Sequence, residues 1–488
     1  MKSLQLLLSA FITGALSQLN AANIHVPGDY NSISNAIKNA VRGDVILVSP
    51  GSYKERLIFK PNITVRSLGG DEKGKVGLKR AELTVIDGSG GQADRPGVTM
   101  AEGATLDGFT ITGVGSYSEE KWQKAWNEKG ENQSHEHIGK FGVPGIAITA
   151  VNCRVVRNIV HHIGNTGIAI RGATRTRTTP LISENVCYRN MGGGIGSMMG
   201  STAIIENNHC FENYYAGIGH NKASPILREN ICYRNIRAGI GISEGSSPLL
   251  RGNRCYRNRR AGIGIRTGSD TRPIVEDNDC YENEMAGIGC DEEASPIIRG
   301  NRCYRNKLAG IGVRSNSVAY ILENHSHENG TAGVGLNTAG AVIVRNQIEK
   351  NKTAGIGISG KSKASVIENT CRENRLVAVG IPNDGEAFLE GNTLERTGGM
   401  PPIIAILNDS NAVLVNNTIK GGGIAGVMLS GRLEAIDNTI EGQNGAHGIL
   451  ARENSEATLS GNIINGYRKK VSNQGAQSVT ETQKSSLE

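Results

Sequence analysis

Four histidines and one carboxylate fall in two short stretches, Gln133-Ser134-His135-Glu136-His137 and, further on, Val160-His161-His162. Imidazoles beside a carboxylate suit zinc, copper or nickel, and the same groups could supply a general base. The competing reading is plain surface histidines, because His-x-His in a loop has no fixed geometry. Just ahead, Trp122 and Trp126 are the only tryptophans of the chain and stand four residues apart, on one face if the stretch is helical. They either dock that helix or offer a platform to sugar rings. More rings recur down the chain at Tyr188, Phe211, Tyr233, Tyr256, Tyr281 and Tyr304, ending in His327. Exposed, such a column would hold a linear glycan. Turned in at a corner, it is packing, and packing is favoured because so many bare rings in a row would make an unusual patch. His220 departs from the column that holds Ile242 and Ile265 and is a further point of interest.

These groups are positioned by a repeat. Residues 253–266, 278–291 and 301–314 read NRCYRNRRAGIGIR, NDCYENEMAGIGCD and NRCYRNKLAGIGVR. The first Asn of this frame recurs at 185, 208, 230, 253, 278, 301, 324, 346, 369 and 392, in steps of 22 to 25 residues, with weaker copies before and after. An unbroken period of this size means a solenoid. Gly, Asn, Ser and Pro break each unit into short pieces, unlike helical repeats, and a leucine-rich horseshoe lacks its Leu spacing here. Ser295-Pro296-Ile297-Ile298-Arg299 reads as one strand, the Cys255 position as a second and Ala261–Arg266 as a third. Three short strands per rung make a parallel β-helix. In the third strand Ala261, Ile263 and Ile265 share one face and Gly262, Gly264 and Arg266 the other, so the Gly pairs are expected to form a bare, flat strip.

The charges follow from the same geometry. Residue i lies about 4.8 Å from its equivalent one rung on. Asp279, Glu282, Glu284 and Asp291 each sit between basic equivalents, such as Arg254 and Arg302 or Arg266 and Arg314. An acidic rung between basic rungs turns repulsion into attraction and pins the register. Calcium in the acidic rung is the functional alternative. An Arg stripe interrupted by acids is a poor phosphate track, so nucleic acid is not expected as a partner. Cys187, Cys210, Cys232, Cys255, Cys280 and Cys303 share an inward column. Parallel stacked neighbours suit disulfides badly, so these read as small buried hydrophobes. The Asn columns, such as Asn258, Asn283 and Asn306, are expected to form amide ladders.

On these repeats the chain resembles the right-handed parallel β-helix proteins of the pectate-lyase-like superfamily, and among them the carbohydrate-binding and sugar-hydrolase repeats of NosD-type periplasmic proteins. The resemblance spans roughly 24–466. Amphipathic Ile33–Val41, then Gly43–Val48 and Pro50–Tyr53, match the helix, strand and turn that cap the first rung in that superfamily. It implies an all-β, right-handed parallel β-helix of about fourteen or more rungs, roughly 65–70 Å tall, with an N-terminal capping helix. It is weak on activity, because the scaffold hosts lyases, hydrolases, epimerases, esterases, adhesins and binders. The epimerases' Asp-Pro-His-Asp run is absent, Ala446-His447-Gly448 is a poor match to the polygalacturonases' Gly-His-Gly, and basic residues are too plentiful to nominate a lyase base.

Gly makes up 65 of 488 residues and aromatics 4%, a composition for thin stacked layers. Lys2, an apolar run and Ala21–Ala22 read as a secretory signal over 1–22, and no later run is long enough to span a membrane. The remaining organisation expected is a cap and first rungs over 23–80, the β-helix over 81–466 and a polar tail from 467. The largest departure from the repeat, a helical insert over 113–144, carries a capping-box pattern at Ser116 and Glu119. A net charge of +7 favours polyanions, and an exported chain meets acidic polysaccharide rather than nucleic acid. Three readings follow for a secreted or periplasmic protein: polysaccharide binding, a polysaccharide lyase or related enzyme, and NosD-type metal handling. A divalent metal (calcium, zinc or copper) is the cofactor these residues could hold.

Overall fold

In a computed structural model that describes residues 21–89, 94–132, 142–173 and 177–482, the chain winds as a right-handed parallel β-helix. Each regular turn carries three strands. The first ladder collects one strand from each of nineteen turns, from Asn23–Val26 to Ser478–Thr482. Nineteen turns at about 4.8 Å make a stack of roughly 90 Å, taller than the repeat alone suggests. The extra turns come from both ends, where the Asn-x-Cys-Tyr frame has faded. The second ladder includes Val186–Tyr188 and Arg254–Tyr256, and the third includes Ile218–Asn221 and Ile263–Ile265. The last two ladders merge only at the C-terminal end, where Thr439–Arg452 and Ile463–Gln474 run through both. Ile463–Gln474, which runs on into the segment expected as a polar tail from 467, and Ser478–Thr482 within that segment are strands of the stack.

The turn geometry explains the sequence frame. In each turn a residue in the left-handed region, such as Glu184, Glu229 or Glu323, bends the chain between the first two ladders. Gly252, Gly300 and Gly391 take the same conformation without a Cβ penalty. The Asn that follows is buried. Asn253 Nδ2 donates to the Leu227 carbonyl (3.1 Å) and to Asn278 Oδ1 (2.9 Å), while its own Oδ1 accepts from the Asn230 amide (3.0 Å). The chain of amides runs from Asn158 to Asn462, and a second runs from Asn190 to Asn374 at the next corner. Each ladder meets the demand that buried backbone groups be paired at a bend where strand pairing stops.

The inward column of the second ladder holds Cys187, Cys210, Cys232, Cys255, Cys280, Cys303 and Cys371. All nine cysteines of the chain are buried and free, and burial pushes the thiols of Cys210, Cys232 and Cys280 well up and that of Cys371 to about 12. The acidic rung is matched as the columns require. Arg302 grips Asp279 with two bonds of 2.6 Å. Lys307 meets Glu284 at 2.9 Å, Arg257 meets Glu282 at 2.6 Å and Arg314 meets Asp291 at 2.7 Å. Each carboxylate that calcium would need already has a cation.

Among the described residues three short α-helices decorate the stack. α1 (Ile33–Asn39) is capped by Ser32 and buries Ile33, Ala36 and Ile37 against the first turns, and α2 (Lys79–Leu83) buries Arg80. α3 (Glu119–Asn127) belongs to the insert. Its cap is Ser118, whose side chain accepts from the Lys121 amide (3.3 Å), rather than the expected Ser116. Glu119 is thereby left to serve Arg189 (2.6 Å).

Candidate functional site

The outer face of the third ladder is a shallow trench of about 650 Å³. Its floor is one register column, running Ala147, Ala169, Gly196, Gly219, Gly241, Gly264, Gly289, Gly312 and Gly335. Nine turns give a length of roughly 38 Å. Tyr215, Arg237, Arg260 and Met285 line one side, and Arg171, Asn221, Arg266, Asp291 and Arg314 line the other. Arginines thus outnumber acids along the walls. Burial, then the charges of Arg237 and Arg314, push Arg260 down to about 10.

The two glycines of each Ala-Gly-Ile-Gly run have different causes. A Cβ on Gly262 would lie 2.7 Å from the Gly287 carbonyl oxygen and 2.8 Å from Asn283 Nδ2; Gly239 and Gly287 are as crowded. That column is glycine because the corner is packed against the Asn ladder. It faces the inside of the corner, so the expected strip holds only the second glycine of each pair. A Cβ on Gly264, Gly289, Gly312 or Gly335 would touch nothing nearer than 3.5 Å, and one on Gly219 would meet nothing within 4 Å. None of these five has a positive φ. At these five positions neither the backbone conformation nor the chain's own atoms requires glycine.

The ring column stands on the outer face of the second ladder, half-buried, not in the core. His161 heads it, and Tyr188, Phe211, Tyr233, Tyr256, Tyr281, Tyr304 and His327 follow, with centroids 4.8–5.1 Å apart. From Tyr188 to His327 the rings lie within 12° of parallel. Each ring covers its neighbours' faces, so the column offers edges and hydroxyls rather than open faces for sugar stacking.

The insert closes the top of this column. His161 Nδ1 lies 2.7 Å from His162 Nδ1, and the His162 ring meets Tyr117 edge-on at 4.4 Å. Burial, then the neighbouring His162, push His161 down to about 4, and burial lowers His162 as well. Two neutral imidazoles sharing one hydrogen bond follow from this. Tyr117 donates to Glu119 (2.5 Å), and burial together with that bond pushes its hydroxyl up to about 12. Trp122 is a docking residue and not a sugar platform: it is buried, its Nε1 donates to the Glu212 carbonyl (2.6 Å), and its faces are taken by Arg189 (3.7 Å) and Trp126 (5.5 Å). Trp126 is half-buried between Arg234 and Arg259. The helix therefore lies along the stack.

His135, Glu136 and His137 lie outside the described residues. Among the described residues no three His, Cys, Asp or Glu side chains gather as a metal set. His220 points into the core, fully buried, and burial pushes it down to about 3. It lies under the trench floor, not in it. The residues that sequence reasoning passed over are the trench arginines Arg171, Arg237 and Arg260; Arg314 was read only as a register charge. Their signal was faint: Arg before Ala-Gly in two successive turns, beside an outward Gly column.

The family model for a right-handed beta helix region matches residues 138–270, 237–371 and 333–485, and the chain belongs to that family. Several solved structures are similar. The A-module of a mannuronan C-5 epimerase from Azotobacter vinelandii matches 95% of this chain and 100% of its own, at 13% identity and a TM-score of 0.33. A double mutant of a periplasmic alginate epimerase matches 68% and 80%, at 15% identity and a TM-score of 0.43. An alginate lyase from Paenibacillus sp. matches 63% and 95%, at 16% identity and a TM-score of 0.36. No curated protein matches the chain.

Proposed function

We propose that this protein is exported and binds an extended acidic polysaccharide along the trench of its third ladder. The observation that carries the reading is the outward glycine column. Glycine inside a strand weakens it, and where the fold does not require it, it marks close approach by a ligand or another backbone. Here the floor stays bare through Gly264, Gly289, Gly312 and Gly335 although each has room for a Cβ. The wall arginines suit carboxylates or sulfates, and Asp291 interrupts them as it would not in a track for nucleic acid. The apolar start of the chain with Lys2 ahead of it supports export.

The test is a pair of substitutions on adjacent turns, Gly264→Val with Gly289→Val, and affinity electrophoresis through alginate, pectate, a sulfated glycosaminoglycan and a neutral glucan. The wild-type chain should be retarded by an acidic glycan and not by the neutral one. The double variant should lose at least tenfold in affinity with its melting temperature unchanged or raised. Retention of full affinity by the variant would sink the reading, as would a wild-type chain indifferent to all four polymers. As a contrast, Gly262→Ala should fail to fold or melt far earlier.

A second reading, β-elimination, is favoured by one observation: Arg260 is pushed toward a pKa of about 10 within the same trench. A base must shed its proton to act, and burial disfavours the charged form of Arg260. Absorbance of unsaturated uronide products is its test, and Arg260→Met should abolish any such signal.

A further inference from the structure

The outer face of the first ladder carries an apolar column with no counterpart in the binding trench. In successive turns Leu181, Ile204, Ile226, Leu249, Ile274, Ile297, Tyr320 and Val342 stand in register. They point outward: Ile226 is 40% exposed, Ile274 and Ile297 39%, and Tyr320 50%. Single exposed apolar residues need no explanation, but eight in one straight column form a continuous patch of the kind that marks an interface.

The flanking columns identify the partner. Two residues before the apolar position stand Thr179, Thr202, Ser224, Ser247, Arg272, Ser295 and Val318; two residues after it stand Ser183, Glu206, Arg228, Arg251, Glu276, Arg299 and Leu322. Alternation puts both sets on the same side as the apolar column. A two-fold axis parallel to the stack would lay the apolar column of one copy on that of another, turn for turn. It would also bring each turn's first column against its own last column. Arg228, Arg251 and Arg299 then face Ser224, Ser247 and Ser295. Glu206 faces Thr202. The one charged residue of the small-side-chain column, Arg272, faces the acidic Glu276. Val318, the apolar member of the same column, faces the apolar Leu322. No like charges meet. A two-fold perpendicular to the stack would instead set the charged columns against each other.

We infer that the chain forms a parallel, two-fold homodimer through this face. Eight turns about 4.8 Å apart span roughly 34 Å, and three outward columns about 7 Å apart with their side-chain width cover roughly 20 Å. That is about 680 Å², within the range around ~800 Å² per partner of a stable interface. The contact is isologous, as expected of a closed dimer, and it uses a ladder other than the one that forms the trench.

Sedimentation velocity on the full chain tests it. A species of twice the 51.8 kDa chain mass is expected, and Ile274→Lys with Ile297→Lys should weaken association at least tenfold at an unchanged melting temperature. Arg272→Glu, which would face Glu276, should weaken it too. Geometry is tested with a short bis-maleimide. Because the nine native thiols are buried, Ile226→Cys and Tyr320→Cys report on their own sites. In the parallel arrangement each variant cross-links to its own copy, although the two positions lie four turns apart. Cross-linking at one position and not the other would overturn the two-fold placement. A wild-type monomer across the micromolar range overturns the dimer, and so does a monomer that pellets with lipid vesicles.

Discussion

His161 shows how place in the stack sets the chemistry of a side chain. It heads a column of rings, stacked 4.9 Å from Tyr188, with its Nδ1 against that of His162. Removal from water disfavours the imidazolium, and His161 is pushed from 6.5 to about 4. Above pH 6.5 the folded and unfolded chains hold the same neutral ring, and the site contributes no pH dependence. As pH falls from about 6.5 toward 4, the unfolded chain takes up a proton that folded His161 refuses, so stability falls through that window and levels off below it. The shift corresponds to roughly 3 kcal/mol. His161→Phe preserves the ring column, in which Phe211 is already a member. It should reduce the drop in melting temperature between pH 7 and pH 4.5, whatever its effect at pH 7. An equal drop in variant and wild type would show that His161 is not held neutral.

At the scale of the turn, register is written in the charges. Parallel stacking brings equivalent residues together at about 4.8 Å, so one acidic rung between basic rungs joins the columns. The pairs are exposed and individually weak, roughly 0.2–1 kcal/mol each, yet they act at several points on the same pair of interfaces. Inverting three of them together, Asp279→Arg, Glu284→Lys and Asp291→Arg, replaces attraction by repulsion toward Arg302, Lys307 and Arg314. The expected loss is roughly 1–4 kcal/mol, read as a lower melting temperature that recovers with added salt. A melting temperature unmoved at low salt would mean the columns are decoration. These columns, the Cys column and the Asn ladders were legible in the sequence because each repeats with the period of the turn. What repeats less was hidden. Trp122 gives no sign in the sequence that its indole meets the Glu212 carbonyl, because the two are ninety residues apart. The trench was half visible: the Gly-x-Gly pattern was plain, but only atomic spacing separates the glycine that the corner needs from the one it does not. Arg171, Arg237, Arg260 and Arg314 come to line one trench only when their turns stack.

The whole molecule is a one-dimensional object. Apart from the insert, which reaches along several turns, each turn of the stack pairs only with the turns above and below, so stability is close to a sum of turn energies and nearest-neighbour interfaces, and opening begins where a turn has one neighbour instead of two. The two ends differ. At the N-terminal end α1 lies over the first turns, buries Ile33, Ala36 and Ile37, and has its Ala40 carbonyl held by Lys60 Nζ at 2.6 Å. At the other end Ser478–Thr482 pairs on one side only, within the described residues, and is mostly exposed, and Ile463 is 58% exposed. The first Asn ladder also stops there, at Asn462, whose Nδ2 reaches back to the Ala435 carbonyl (2.7 Å). In the central turns every Asn of that ladder bonds one turn in each direction, and the second ladder and the ring column add further ties between neighbours. Hydrogen exchange followed by mass spectrometry should therefore lose protection in order along the chain. Peptides from 463–482 should exchange first, those from 439–452 next, and those spanning the Asn-x-Cys-Tyr turns from 208 to 329 last. Exchange starting at 23–48, or in all turns at once, would mean that the helical cap contributes nothing or that the stack unfolds as a single unit.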